Sequence, residues 1–120
     1  MMSWLVAFVL TMALETPVYA YWLEREAKRW WAPLAASLLL NLATHPLFSW
    51  WALHAWPSSR EVLLAECAIA LAEGWALALL RRSRLLPNSN ERGVRLLLSS
   101  IGIAVLANGV SYGLGLLLFG

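Results

Sequence analysis

Four long apolar stretches alternate with short polar joints along the 120 residues, each close to the ~20 residues a helix needs to cross ~30 Å of hydrocarbon. The pattern predicts helices near Ser3–Leu23, Ala32–Leu53, Glu61–Leu80 and Leu96–Phe119. The expected class is all-α, an integral membrane four-helix bundle.

Polar residues interrupt each stretch near its middle, and they do so on one helical face. Thr11 and Glu15 share a line on the first stretch; Ser37, Asn41 and Thr44 share one on the second. Glu66, Ala70 and Glu73 align on the third, and Ala104, Asn108, Ser111 and Gly115 on the fourth. Spacings of three, four and seven place side chains above one another on a helix. All four helices therefore offer polar groups at one depth, where they are expected to converge inside the bundle.

An acid at the centre of a membrane helix costs ~2.5–3.5 kcal/mol on insertion scales. Glu15 and Glu73 must then be protonated, paired or bound to a cation, and as close neighbours they would titrate together. His45 is the one group at that depth able to carry a positive charge, since the Lys and Arg residues sit near helix ends. It reads either as a metal ligand or proton relay, or as a side chain bonded to Asn or Glu for its own satisfaction. Glu66, nearer the opposite end from the basic joints and in line with Glu73, suits a vestibule acid. Asn41 and Asn108 can equally be structural, because interhelical Asn bonds contribute ~1 kcal/mol apiece.

The chain also repeats itself. "MALETPVYAYWLER" laid over "IALAEGWALALLRR" aligns Glu15 with Glu73. "NLATHPLF" laid over "NGVSYGLG" aligns Asn41 with Asn108, Thr44 with Ser111, His45 with Tyr112 and Pro46 with Gly113. Asn follows Glu by 26 residues in the first half and 35 in the second, so the later joint is nine residues longer. Residues 1–57 and 58–120 thus read as two helical hairpins of one membrane domain. Two helices per half return the chain to its starting side, which makes the repeats parallel, related by an axis along the membrane normal.

Pro17 and Pro46 lie inside the first and second helices, leaving the carbonyls of Ala13 and Leu42 without their donors. They either kink helices to fit one another or expose oxygen ligands beside Glu15 and His45. Gly109-x-x-x-Gly113 is a close-packing motif suited to self-association. Cys67 has no neighbouring cation to activate it and reads as a small buried apolar residue. As the sole cysteine it forms no internal disulfide. Glu61, beside Arg60, suits the start of the third helix, where an acid complements the dipole.

Composition strengthens the membrane expectation. The chain is 61% hydrophobic and 13% charged, with a mean hydropathy of +0.65. Soluble domains carry about a quarter charged residues, so lipid is the expected solvent. The net charge of +2 is no nucleic-acid signal, because the basic residues border the spans without a base-stacking platform. Eight of the nine lie in two joints: Arg25, Lys28 and Arg29, then Arg81, Arg82, Arg84, Arg92 and Arg95. Only Arg60 marks the second-to-third joint. The positive-inside rule makes both basic joints cytoplasmic and both termini external, as in a prokaryotic inner membrane. Trp4, Trp50, Trp51 and Trp56 would line the outer interface and Trp22, Trp30 and Trp31 the inner one, with Trp75 deeper. "PVYA" imitates a signal-peptide cleavage site, but no basic leader precedes it, and the segment reads as a retained helix.

No phosphate loop, C-x-x-C, H-E-x-x-H or nucleophile elbow is present. The layout is similar to that of the small multidrug transporters only in having four helices and a glutamate early in the first. Three functions remain. The first is cation handling, in which Glu15, Glu73, His45, Asn41 and Asn108, helped by Thr44, Ser111 and Glu66, bind protons or a divalent metal. Zn²⁺, Mn²⁺ or Fe²⁺ would suit oxygen ligands with one imidazole. A dimer or larger assembly is expected, because four helices enclose little space. The second is a non-catalytic subunit or assembly factor of a larger membrane complex. The third is an intramembrane enzyme acting on a lipid-soluble substrate, although no leaving-group or oxyanion site can be named.

Overall fold

The computed structural model describes the backbone of residues 4–83 and 90–119, with side chains except at positions 4, 7, 53, 115, 116, 118 and 119. Ser3 and Arg84 lie outside the described residues, as do the side chain of Trp4 and the surroundings of Gly115.

The described chain is all-helical: α1 (Trp4–Leu23), α2 (Ala32–Ala55), α3 (Ser59–Arg81) and α4 (Gly93–Phe119). Two helices, α3 and α4 over Gly93–Leu114, are long and apolar enough to cross a membrane. Departures from the expected spans fall at helix ends, where capping outweighs hydropathy. The start of α3 moves back to Ser59 because Ser58 and Glu61 form a capping box. Glu61 N donates to Ser58 Oγ at 3.3 Å, and Ser58 N donates to Glu61 Oε2 at 3.2 Å. Pro33 sits in the first turn of α2, where a missing N–H breaks no helical bond. Gly93 opens α4 at φ +59°, a left-handed conformation that glycine adopts without a Cβ clash.

Neighbours run α1, α2, α3, α4 and back to α1, which leaves α1–α3 and α2–α4 as diagonals. The extents are 42 × 26 × 22 Å. The backbones of α3 and α4 come close together at Gly74, where an added Cβ would lie 2.6 Å from Ile101 Cα.

Burial is uneven along the long axis. Glu15, Tyr19 and Leu23 on α1 are buried, as are Ala36, Ser37, Leu40 and Asn41 on α2. On α3 the buried line is Ala70, Glu73, Leu77 and Arg81; on α4 it is Leu96, Ser100, Ile103, Ala104, Ala107 and Asn108. Apart from Ala70, one turn past Glu73, these lie between the level of the acids and the end that carries joints 24–31 and 82–92. Among the described residues, none beyond Ala70, toward the α2–α3 turn, is fully buried. Side chains are closely packed at the basic end and less buried at the other.

That gradient corrects one expectation. Cys67 is exposed rather than buried. It continues the face of Ala70 and Gly74, but one turn into the less buried half. Trp22, Trp30, Trp50, Trp56 and Trp75 are all exposed on the outside of the bundle.

Candidate functional site

Glu15 and Glu73 project from α1 and α3 into the interior, and each is 1% exposed. Their helices are diagonal, so the two carboxyls approach across the bundle centre, close enough to interact electrostatically.

Three donors hold the Glu73 carboxylate. Asn108 Nδ2 donates to Oε2 at 2.7 Å, Tyr19 Oη donates to the same oxygen at 3.1 Å, and Thr44 Oγ1 donates to Oε1 at 2.8 Å. These come from α4, α1 and α2, so side chains of all four helices meet at one group. Asn108 spends its second amide hydrogen on the Ala104 carbonyl at 2.9 Å, which fixes its orientation before it meets the acid. Gly74, next to Glu73, lets α4 come near enough for that bond.

Glu15 is served differently. Asn41 and Ser111 present their polar side chains to it, and Glu73 and Glu66 act on it by charge. Its Oε2 is nonetheless buried without a hydrogen-bond partner, and so is Asn41 Oδ1. Asn41 Nδ2 donates to the Ser37 carbonyl at 2.9 Å, the same backward bond that Asn108 makes. Each acid is thus approached by the asparagine of its own hairpin and by a hydroxyl of the other. Asn108 and Thr44 serve Glu73; Asn41 and Ser111 serve Glu15. Tyr19 breaks the correspondence, since Leu77 occupies the aligned place.

His45 does not join the acids. Its ring lies edge-on to Phe8 and Phe48, with centroids at 5.9 and 6.3 Å, and its Nδ1 is buried without a partner. One residue beyond Thr44 is a rotation of about 100°, enough to turn the imidazole off the polar line. Pro17 and Pro46 are exposed, as are Ala13 and Leu42, whose carbonyls they leave without donors. Glu66 is half-buried and interacts electrostatically with both central acids. Gly109 and Gly113 have open space around them.

No group of three or more His, Cys, Asp or Glu side chains among the described residues is placed to hold a metal ion. Structural and catalytic transition-metal sites use three or four such ligands. With His45 turned away, the residues do not fit zinc, manganese or iron.

A second polar cluster stands at the basic end. Arg81, 4% exposed, makes a two-pronged ion pair with Glu26: Nε to Oε1 at 2.7 Å and Nη2 to Oε2 at 2.6 Å. Its Nη1 donates to Ser99 Oγ at 2.6 Å and Ser100 Oγ at 3.0 Å, and Glu91 Oε2 lies 3.5 Å from Nη2. One guanidinium therefore ties α3 to the joint after α1 and to the first turns of α4. Neither Arg81 nor Tyr19 stands out in the sequence, yet each is marked there. Arg81 continues the line Glu73–Leu77, and Tyr19 follows Glu15 by one turn.

No family model matches the chain, and comparison with curated proteins and with solved structures gives no match. The chemistry of the interior is what remains to indicate function. Two buried carboxyls interact there, Glu73 held by three donors and Glu15 approached by Asn41 and Ser111.

Proposed function

We propose that the chain spans a membrane four times, as two parallel hairpins, and that its Glu15–Glu73 pair binds and releases protons. The observation that carries this reading is the burial of two interacting acids with no cation paired to either among the described residues. Arg81, the buried base, is engaged by Glu26 and Glu91. An apolar interior does not hold two adjacent uncompensated charges. With no metal-ligand set among the described residues, the proton is the simplest neutralising species.

The 42 Å long axis suits a bilayer of ~40–45 Å including headgroups. Exposed tryptophans at both ends suit its two interfaces. The crossed pairing of Asn and hydroxyl with each acid supports a duplicated hairpin, because that is what an axis between Glu15 and Glu73 would generate.

With the basic joints cytoplasmic, the less buried half faces outward. Glu66 lies two turns outward of Glu73, roughly 10 Å along α3, and offers a first landing for an incoming proton. On the cytoplasmic side Tyr19, Leu23, Ala36, Leu40, Leu77 and Ala107 form a closed apolar plug. Protons then reach the pair from outside, and onward passage requires the packed half to loosen.

The test is proton flux in liposomes holding the full chain, under an imposed pH gradient with an internal pH dye. Wild type should dissipate the gradient faster than the Glu15→Gln, Glu73→Gln double variant. Equal rates would sink the reading.

A second reading, a subunit that works by docking to other membrane helices, draws on α4. Gly102, Gly109 and Gly113 leave open space in which another helix could approach closely. Recovery of a second copy or a stoichiometric partner after cross-linking in native membranes would favour it.

A further inference from the structure

We infer that the joint between α1 and α2 is a headgroup site for an anionic phospholipid of the cytoplasmic leaflet. Arg25, Lys28 and Arg29 hold the phosphate, and Trp30 meets the start of the acyl chains. This rests on the membrane-spanning reading above and is independent of the proton.

The joint is folded rather than slack. Ala27 N donates to the Leu23 carbonyl at 3.2 Å and Ala32 N to the Arg29 carbonyl at 3.1 Å, closing one turn after α1 and another before α2. Ala27 also packs against the hydrophobic core. Held at these points, the three cations and Trp30 line one open cavity of about 350 Å³, with Ala27 and Pro33 as further apolar wall. That volume falls within the range of small-ligand sites.

Charge decides what the cavity takes. The joint holds two acids, Glu24 and Glu26. Glu26 is committed to Arg81 through both carboxylate oxygens, which leaves Glu24 alone against three cations. Arg25, Lys28 and Arg29 are exposed and form no ion pair among the described residues. Unspent donors around a cavity of net positive charge call for an anion, and guanidinium forks match pairs of phosphate oxygens. Arg81 makes the contrast, since its guanidinium is already engaged by Glu26, Ser99 and Ser100.

The aromatic wall decides the source of that phosphate. Trp30 is 83% exposed. An indole so placed suits the boundary between headgroups and acyl chains. A freely soluble phosphate makes no use of it, whereas a phospholipid presents phosphate and hydrocarbon side by side. Anionic lipids of the cytoplasmic leaflet are attracted to basic segments next to a membrane helix.

Native mass spectrometry of the full chain in detergent counts bound lipids and tests the site. The chain is titrated with dioleoyl phosphatidylglycerol, dioleoyl phosphatidylcholine or glycerol phosphate. A basic residue near the surface contributes about 1 kcal/mol, or about fivefold in affinity. The first phosphatidylglycerol should therefore bind wild type at least about fivefold more tightly than phosphatidylcholine. The triple variant Arg25→Gln, Lys28→Gln, Arg29→Gln should lose that preference. Removing equal charge from the other joint, by Arg82→Gln, Arg92→Gln and Arg95→Gln, should preserve it. Trp30→Ala should weaken phosphatidylglycerol binding several-fold.

The inference is overturned by a wild type without the preference, by equal loss in both triple variants, or by indifference to Trp30→Ala. Glycerol phosphate binding as tightly as phosphatidylglycerol would overturn it in favour of a soluble anion. Should the first triple variant not fold, Arg29→Gln alone should lower phosphatidylglycerol affinity about fivefold, and an unchanged affinity sinks the site. Lipid preference without proton flux defeats the transport reading alone; flux without lipid preference defeats this site alone. Release of the chain from membranes by alkaline carbonate would defeat both.

Discussion

Replacing Arg81 with Ala should damage the fold more than any other single change at the basic end. Arg81 is 4% exposed, and its guanidinium meets Glu26 at 2.6 and 2.7 Å, Ser99 at 2.6 Å and Ser100 at 3.0 Å. Removing it leaves the Glu26 carboxylate, 15% exposed, without its counter-charge. Breaking a buried ion pair from one side costs about 3–5 kcal/mol. Arg81→Lys keeps the charge but loses the fork that serves both carboxylate oxygens, at about 1–3 kcal/mol. Glu91→Gln loses the charge of a 3.5 Å contact from a side chain 42% exposed, while the amide oxygen can still accept from Ser99 Oγ, and should stay within about 1 kcal/mol. Thermal unfolding in detergent, followed by tryptophan fluorescence, should rank the variants in that order. Arg81→Met with Glu26→Gln should recover part of the loss, because no charge is then stranded. If Arg81→Ala proves no worse than Glu91→Gln, the guanidinium is not buried in the folded chain and does not tie α3 to its neighbours.

Gly74→Leu should push α3 from α4, since even a Cβ at this position meets Ile101 Cα at 2.6 Å; a loss of about 1–3 kcal/mol is expected by chemical or thermal unfolding. Tyr19→Phe removes one of three donors from Glu73 and should cost about 1.5–3 kcal/mol while leaving the helix content unchanged by circular dichroism. His45→Phe should retain proton flux, and calorimetric titration of the wild type with Zn²⁺ should show no binding; a flux lost with His45, or a stoichiometric zinc, contradicts the separation of the imidazole from the acids. Cys67 should react with a water-soluble thiol reagent added outside proteoliposomes and not with the same reagent confined within them. Silence from both sides would argue that Cys67 faces lipid rather than water.

Helix number, helix order and the inward lines of polar residues are legible from spacing, because 3.6-residue periodicity reports which side chains share a face. Periodicity does not report how far a face is rotated toward the centre. His45 and Thr44 are adjacent in sequence and equally deep, yet only the hydroxyl reaches Glu73. Nor does hydropathy reveal where burial ends along a helix, which is why Cys67 reads as part of a core that in fact ends one turn earlier. Arg81 reads as one of several boundary cations, since charge counting along a joint does not distinguish a guanidinium facing water from one folded back onto Glu26. Glycine in a helix interior is unfavourable by about 1 kcal/mol, so Gly74 carries a signal of close approach beside Glu73.

The uneven packing along the bundle has a mechanical consequence. Rods clasped at one end pivot there, and small adjustments near the clasp become larger excursions at the free tips. A change of hydrogen bonding at Glu15 acts close to this fulcrum, where a sub-ångström shift can be magnified several-fold by the time it reaches the α2–α3 turn. Amide exchange should reveal the lever directly: slow along the stretch from Glu73 to Arg81, and fast in the opening turns of α3 after Ser59, although both belong to one unbroken helix.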